Sequence, residues 1–259
     1  MTDMMPTIFF GHGNPMHAIS KNVYTDAFAA VGKLLPRPKA ILSISAHWCI
    51  STCAVTAGLT PPTIYDFRGF PKELYEVKYH APGDPHLAEH IKDILSPVEV
   101  ALDKNRGLDH GTWAVLVHVF PDADIPVVQL SINATKPPEF HYEIGKKLSP
   151  LRKEGVLIIG SGNIVHNLSE YAWGNPGIKP YDWALRFENK IQELLLKRDA
   201  DQMIEYDKLG QDAMLSVPTP DHYLPLLYVL GARENNEQVS FPVQGFDGGS
   251  VSMLAVQTG

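Results

Sequence analysis

The sequence of 259 residues is poor in cysteine and has no surplus of positive charge. Its two cysteines, Cys49 and Cys53, are too few for a cysteine-based metal site. They would lie about 13 Å apart if the segment between them were extended, so a disulfide is not expected unless the chain turns there. The net charge of −7 and the scattered lysine and arginine residues disfavour nucleic acid as a partner.

Long apolar runs and several common catalytic motifs are also absent. No stretch approaches the roughly 20 apolar residues that span a bilayer, and residues 1–6 lack the basic and then apolar layout of a signal peptide. We therefore expect a cytoplasmic protein with no membrane contact. The Gly-X-Ser-X-Gly elbow, the phosphate loop and the dinucleotide loop are missing, which disfavours a serine hydrolase and a nucleotide-dependent enzyme.

Short apolar runs that end in glycine, serine or a polar cluster are typical of buried strands. We predict strands at residues 7–10, 40–44, 125–132 and 156–159. Stretches with helical spacing separate them, at residues 87–95, 113–120, 140–151 and 182–198. This alternation indicates an α/β sandwich, and an apolar content of 44% is enough for one compact domain over residues 1–259.

Four histidines each lie in a segment that restricts the side chain: His12, His47, His166 and His222. His12 lies between two glycines, His47 between small residues and a tryptophan, His166 between two asparagines, and His222 between prolines. The first three follow predicted strands, where an open α/β sheet gathers its ligands. Imidazole binds iron, zinc, copper and nickel, and it also titrates near neutrality, so the four predict a metal centre or a proton-handling site.

Each of these histidines also has a structural interpretation. His12 fits an exposed residue of a simple turn, and His47 fits a core residue at a strand end. Asn163 and Asn167 are candidates to fix the tautomer of the neighbouring imidazole, or Asn163 to cap a helix. His222 fits a rigid surface turn. The combination of four such segments is what favours a metal site.

His110 is a fifth candidate, because it precedes a helical pattern in the segment 109–113. Its imidazole suits a hydrogen bond to an anionic oxygen or to dioxygen, and a capping, solvent-facing role is the alternative. The remaining histidines lack such settings. His86 and His90 share a helix face without the glutamate of a His-Glu-X-X-His motif, so we assign them to a surface helix.

Six segments resemble, in the same order, the 4,5-DOPA extradiol dioxygenase family. This family belongs to the class III extradiol ring-cleaving superfamily, which includes the catalytic subunit of protocatechuate 4,5-dioxygenase. The segments are GHGNP at 11–15, SAHW at 45–48, PPTIYDF at 61–67, DHGTW at 109–113, SGNIVHN at 161–167 and PDHYLP at 220–225.

The resemblance implies a three-layer α/β/α sandwich around a mostly parallel mixed sheet, with a non-haem iron(II) centre. His12, His47 and His222 match the metal ligands of the family. His166 matches the acid–base histidine, which is sometimes a further ligand in zinc-loaded forms, and His110 matches a pocket histidine beside substrate or dioxygen. Zinc(II) is expected to fit the same ligands.

The implied reaction opens the ring of a catechol such as L-DOPA by 4,5-cleavage with O2 and gives a muconic semialdehyde. Asn14 departs from the family pattern, which usually has serine there. His222 stands where distant relatives use a carboxylate, so the site would be more cationic than a site with two histidines and one carboxylate.

A zinc-dependent hydrolase on the same ligands and a non-enzymatic, Memo-like binding protein are the alternative functions. The expected partners are a catechol and O2, and the expected assembly is a monomer or a small homo-oligomer. Several aromatic residues are candidates to line a substrate pocket or to pack the core: Tyr65, Phe67, Phe70, Tyr75 and Tyr223.

Overall fold

The computed structural model describes residues 4–175 and 177–259, so residues 1–3, part of the N-terminal segment considered above, lie outside it. The strands are β1 (Thr7–Gly11), β2 (Ala40–Ile50), β3 (Cys53–Thr56), β4 (Val100–Asp103), β5 (Val127–Asn133), β6 (Val156–Gly162), β7 (Val239–Val243), β8 (Phe246–Asp247), β9 (Val251–Ser252) and β10 (Ala255–Thr258). The α-helices are α1 (Val23–Leu34), α2 (Lys72–Glu76), α3 (Pro85–Leu95), α4 (His110–Val119), α5 (Pro138–Leu148), α6 (Asp182–Lys197), α7 (Ala200–Ile204), α8 (Gln211–Ser216) and α9 (Leu224–Gly231). Short 3₁₀ helices lie at Pro15–Ala18, Ser149–Glu154, Tyr206–Leu209 and Pro220–His222.

One mixed sheet of eight strands, in the order β4-β3-β5-β2-β6-β1-β10-β7, forms the framework. The central strands β5, β2, β6 and β1 run parallel, whereas β10 is antiparallel to both β1 and β7. On the other side, β3 is antiparallel to β5 and parallel to β4. The expected α/β class with a mostly parallel mixed sheet is confirmed.

Alternating strand residues separate the apolar core into two layers. In β1, Ile8 and Phe10 pack on the face that α1 and α4 cover, and Phe9 points to the face that α3, α5, α6 and α9 cover. The same alternation places Leu157 on the first face and Ile158 on the second. The sheet is therefore buried on both sides, which confirms the three-layer sandwich.

All four predicted strands and all four predicted helices are present, with shifted ends. The helix predicted at 113–120 already begins at His110, because Asp109 caps its N-terminus by accepting from the Thr112 N–H at 3.2 Å. The helix predicted at 140–151 ends at Leu148 and continues as a 3₁₀ helix around Pro150, which has no N–H to donate.

Strands β1, β2 and β6 end at the same edge of the sheet, because they run parallel. The chain turns between β2 and β3, which is the condition for a Cys49–Cys53 disulfide, yet both thiols are free. No helix among the described residues combines the length and the apolarity needed to cross a bilayer. The carboxyl edge of the parallel strands is thus the place where the predicted site residues meet.

Candidate metal centre

His12 lies directly after β1, in a segment where two glycines let the backbone pack tightly. A Cβ on Gly11 would lie 2.5 Å from the Ser252 carbonyl oxygen, and Gly13 has a φ of +63°. The backbone N–H of His12 donates to the carbonyl oxygen of Gly162 at 2.9 Å. These contacts hold the His12 ring at the carboxyl edge of the sheet.

Ser161 determines which nitrogen of the His12 ring is free. The Ser161 hydroxyl donates to the Gly111 carbonyl oxygen at 2.5 Å, and His12 Nδ1 lies 2.9 Å from the same hydroxyl oxygen. Because the hydroxyl has only one proton to donate, its oxygen accepts from His12 Nδ1–H. The lone pair of the neutral His12 ring is therefore on Nε2.

His47 lies within β2 rather than after its end, because the strand contains a bulge. Ile44 pairs with Leu130, whereas Cys49 already pairs with Ile132, so the residues between them are out of register. The predicted strand end near residue 44 is therefore wrong, since β2 continues to residue 50. The bulge redirects the side chain and brings His47 Nε2 to within 3.1 Å of the His12 Nε2 atom.

His222 reaches the site from the 3₁₀ helix Pro220–His222, which packs against β6. The Asn163 N–H donates to the His222 carbonyl oxygen at 2.9 Å, and a Cβ on Gly162 would overlap that oxygen. The predicted strand end at residue 159 is wrong, because β6 extends through Gly162. The lack of a side chain at Gly162 allows the backbone of His222 to pack closely against β6.

Asp221 orients the His222 ring through Nδ1, which contacts the Asp221 carboxylate. Burial alone would raise the pKa of Asp221, but the hydrogen bond and the charge of His222 outweigh it and hold the pKa below its usual range. A carboxylate only accepts, so Nδ1 carries a proton, and the neutral form of the ring has its lone pair on Nε2. Among the described residues, Nε2 of His222 has no hydrogen-bond partner although it is buried.

The ligand nitrogens of His12, His47 and His222 lie within 4.8 Å of one another. Burial, followed by the neighbouring imidazoles, lowers the pKa of His12 and His47 well below the usual value, so both rings are neutral. The Asp66 carboxylate lies 3.2 Å from His47 Nδ1 and favours the proton on that nitrogen, so the lone pairs of the two Nε2 atoms face each other across 3.1 Å, an arrangement that a cation between them stabilises. The donors therefore fit a divalent metal such as iron or zinc.

Asp66 is a residue of the site that sequence reasoning did not identify. Its Oδ2 lies 3.2 Å from His47 Nδ1 and 3.0 Å from His110 Nδ1, and its Oδ1 accepts from the His110 backbone N–H at 3.0 Å. The resemblance contained the signal, since Asp66 lies in its segment 61–67. One carboxylate thus positions both a candidate ligand and the neighbouring pocket histidine.

His110 is buried at the first position of α4, so the solvent-facing alternative is wrong. The capping function belongs to Asp109. The ring centroid of His110 lies 3.9 Å from that of His47 and 5.6 Å from that of His12. The structure thus places His110 next to the three converging imidazoles.

His166 lies beside the cluster and stacks flat on His222, with ring centroids 3.5 Å apart and an interplanar angle of 5°. Its backbone N–H donates to the Ser216 carbonyl oxygen at 2.8 Å, and the residue forms a β-bridge with Val251. Burial, and then the nearby His222, lowers the pKa of His166 to about 2. The unbound site therefore holds His166 as a neutral ring.

The two asparagines near His166 do not contact its ring, which corrects both expectations for them. Asn163 Nδ2 donates to the Ser252 carbonyl oxygen at 2.8 Å, and no helix follows Asn163. Asn167 Oδ1 accepts from the Ser169 N–H at 3.1 Å and closes a turn. Both amides satisfy backbone groups in an irregular segment instead of fixing the imidazole.

A cavity of about 270 Å³ opens in front of the histidines. Two of the five aromatic candidates, Phe67 and Phe70, line it, and Tyr171 and Trp173 line it although the sequence analysis did not predict them. The complete lining consists of His12, Gly13, Asn14, Pro15, His47, Asp66, Phe67, Phe70, His110, His166, Leu168, Tyr171, Trp173, His222 and Val251. The cavity combines a polar, histidine-rich floor with apolar walls, as binding sites for small aromatic molecules do.

The other three aromatic candidates do not line the cavity. Tyr65 and Tyr75 stand behind Phe67, with ring centroids 6.2 and 5.2 Å from it. Tyr223 is fully buried, packs on Tyr206 and donates its hydroxyl to a backbone carbonyl. Tyr65 and Tyr223 pack in or against the core, which was the alternative for all five, whereas Tyr75 is partly exposed and packs on Phe67.

The assignment of His90 to a surface helix is confirmed. His90 is exposed on α3, and its Nε2 lies 3.1 Å from a Glu154 carboxylate oxygen. His86 is exposed on the same helix. Asn14, the departure from the family pattern, accepts from the Met16 N–H at 2.9 Å and begins the 3₁₀ helix Pro15–Ala18.

The fold and the site together define a class: an α/β sandwich with a histidine-rich candidate metal centre at the carboxyl edge of its parallel strands. A family model described as the catalytic LigB subunit of aromatic ring-opening dioxygenase matches residues 6–251. The chain therefore belongs to this family, and it is an extradiol dioxygenase. The resemblance is confirmed, and the non-enzymatic alternative is set aside.

Relatives from bacteria and plants match nearly the whole chain. A protein from Escherichia coli (strain K12) named 4,5-DOPA dioxygenase extradiol is 48% identical over 98% of this chain and 95% of its own length. One of the same name from Beta vulgaris is 39% identical over 95% of this chain and 93% of its own. The crystal structure of an uncharacterized protein from Escherichia coli K12 superposes with a TM-score of 0.86 and 44% identity, covering 98% of this chain and all of that one.

Proposed function

We propose that the protein opens the ring of a catechol such as L-DOPA by 4,5-cleavage with O2, giving a muconic semialdehyde, and that His12, His47 and His222 bind iron(II) for this reaction. The observation that carries the proposal is the convergence of three imidazoles, two of them buried and that of His47 partly buried, at a cavity that two further histidines line. The names of the relatives from Escherichia coli and Beta vulgaris support the choice of substrate.

Iron(II), when bound, supplies the redox chemistry and the open positions through which a catechol and dioxygen react. Zinc(II) fits the same three imidazoles but exchanges no electrons. The carboxylates of Asp66 and Asp221, each in contact with the Nδ1 side of a candidate ligand, offset the charge of a metal bound without a direct carboxylate ligand.

His166 is assigned the proton transfer. Its ring lines the cavity, and a neutral imidazole there is the form that accepts the proton of a catechol hydroxyl and returns it as the ring opens. His110, held by Asp66, is assigned the hydrogen bond to the oxygen on which negative charge develops. The apolar side chains of Phe67 and Phe70 exclude water from one wall and pack against the aromatic ring.

The proposal is tested by loading metal-free protein anaerobically with iron(II) or with zinc(II) and then measuring oxygen uptake with L-DOPA. The iron form is expected to consume oxygen and to form the yellow semialdehyde product, and the zinc form to do neither. Equal oxygen uptake in both forms would contradict the iron assignment. Absence of oxygen uptake in both forms, together with hydrolysis of an ester or amide by the zinc form, would favour the zinc hydrolase alternative.

The role of His166 is tested with His166→Gln, and exposed His90→Gln serves as the matched control. His166→Gln is expected to bind iron with the stoichiometry of the parent and to lose turnover, because glutamine cannot transfer the proton. His90→Gln is expected to keep both properties. Retained turnover in His166→Gln removes the proton-transfer role, and a reduced zinc affinity identifies His166 as a ligand of the zinc form.

A further inference from the structure

A second cavity, here called the side cavity, adjoins the candidate metal centre. It has a volume of about 600 Å³, and Asn14, Tyr171 and Trp173 line both cavities. Asn14 follows the candidate ligand His12 by two residues. These shared side chains form the partition between the two cavities, so the side cavity lies directly behind the wall of the cavity at the metal centre.

Asp247 supplies the only carboxylate among the residues that line the side cavity. It is buried, its Oδ1 accepts from the Tyr171 hydroxyl at 2.9 Å, and its Oδ2 lies 3.4 Å from His17 Nε2. Within residues 4–175 and 177–259, no lysine or arginine lies within ion-pair distance of Asp247. A buried carboxylate with no cationic partner is costly, and a cationic ligand would stabilise it.

The hydrogen bonds of His17 indicate a neutral ring, so His17 does not compensate the negative charge of Asp247. The side-chain oxygen Oδ1 of Asn22 accepts from the backbone N–H groups of Tyr24 and Thr25, which fixes the orientation of the Asn22 side-chain amide. Its Nδ2 therefore donates to His17 Nδ1 at 3.0 Å, so the neutral ring has its proton on Nε2. This buried Nε2 has no well-aligned hydrogen-bond partner among the described residues.

The walls of the side cavity complete the chemistry of a cation site. Four aromatic side chains line it: Tyr24, Tyr171, Trp173 and Phe246. Burial, and then the charge of Asp247, raises the pKa of Tyr24 and Tyr171, so both present neutral rings. Aromatic faces around a single carboxylate are the surroundings in which proteins bind ammonium groups.

We propose that the side cavity is a subsite for an ammonium group carried on the alkyl tail of the catechol, with Asp247 as its ionic partner. The proposal rests on the ring-cleaving function proposed above and names the class of substrate within it: aminoalkyl catechols. The ring lies at the metal centre, the tail passes the Asn14 and Tyr171 side chains, and the ammonium group lies between the carboxylate and the aromatic walls.

The test compares dopamine, which carries the ammonium group, with 4-ethylcatechol, which lacks it. For the parent enzyme, we expect a KM for dopamine at least tenfold below that for 4-ethylcatechol. Asp247→Asn is expected to raise the ratio of the two KM values roughly tenfold to a hundredfold, because it removes a charge-assisted contact to one substrate only. Asp93→Asn, which removes an exposed carboxylate of α3, is the control and is expected to leave the ratio unchanged.

Binding without turnover gives an independent readout. The dissociation constant of dopamine is measured by calorimetry on zinc-loaded parent, Asp247→Asn and Asp93→Asn proteins, and only Asp247→Asn is expected to bind more weakly. No preference of the parent for dopamine, or an equal effect of Asp247→Asn on both catechols, overturns the subsite. Absence of oxygen uptake with either catechol contradicts the ring-cleaving function instead, and the calorimetric comparison then still decides the subsite.

Discussion

The substitution Gly162→Ala tests whether β6 sets the position of His222. A Cβ at residue 162 would overlap the carbonyl oxygen of His222, and this obstacle is backbone rather than the end of a flexible side chain. Ordinary carbon contacts require about 3.5 Å, so the His222 segment has to move by about 1 Å or more. The hydrogen bond from the Asn163 N–H to the same oxygen is distorted by this movement.

Two effects of this substitution have estimable magnitudes. Overpacking a buried position costs about 1–3 kcal/mol in the free energy of unfolding. Misplacing one of the three proposed metal ligands is expected to lower metal affinity by about tenfold to a hundredfold, the range found when the supports of ligands are removed. We expect Gly162→Ala to fold and to show both losses.

Gly160→Ala is the matched control, because it adds the same methyl group to the same strand. Its Cβ would lie 2.6 Å from the Pro225 carbonyl oxygen, in the helix that follows His222 rather than at the ligand. Urea denaturation measures the stability of both variants, and competition with a chromophoric chelator measures their zinc affinity. Equal zinc affinity in the two variants would refute the proposed role of β6 in placing His222.

Two further variants probe groups beside and behind the site. Asp221→Asn removes the negative charge that contacts His222 Nδ1, and it is expected to lower zinc affinity about tenfold or more. An unchanged zinc affinity in the chelator assay would show that the 3₁₀ helix Pro220–His222 alone orients the ring. Burial raises the pKa of Glu188 from 4.5 to about 7, so the stability contributed by its protonated form is complete below pH 4.5 and is lost as the pH rises through about 7. The free energy of unfolding of Glu188→Gln is therefore expected to exceed that of the parent by up to about 3 kcal/mol at pH 8 and to equal it at pH 4. Urea unfolding that shows the same pH dependence of stability in both proteins would contradict this expectation.

The candidate ligands could be predicted from sequence because their chemistry is local. Gly11 and Gly13 indicate a tightly turned backbone around His12, and the prolines around His222 indicate a rigid turn. The fold class followed from strands such as β6, whose first four residues are all apolar, since such strands are buried on both faces. Strands β4 and β7 were missed because each is short and partly exposed, which leaves little periodic signal.

The parts that escaped prediction depend on contacts between distant segments. Asp66 and Tyr171 lie in irregular chain, and only the folded sheet brings them to the histidines. The bulge that redirects His47 is a mismatch between two strands, so it leaves no mark in β2 alone. Likewise, the amides of Asn163 and Asn167 looked suited to an imidazole because their backbone partners are not visible in the sequence.

The order in which the three converging histidines occur in the chain has a consequence for how the protein acquires its metal. During synthesis His12 and His47 emerge early, while His222 belongs to a segment made near the end, and β1 requires β6 and β10 as neighbours. Contacts of such large sequence separation form late in folding. The ion therefore cannot nucleate the fold, as it does in zinc fingers, and is instead captured by a finished scaffold. Which metal occupies the site is then decided by the ions available to the mature protein.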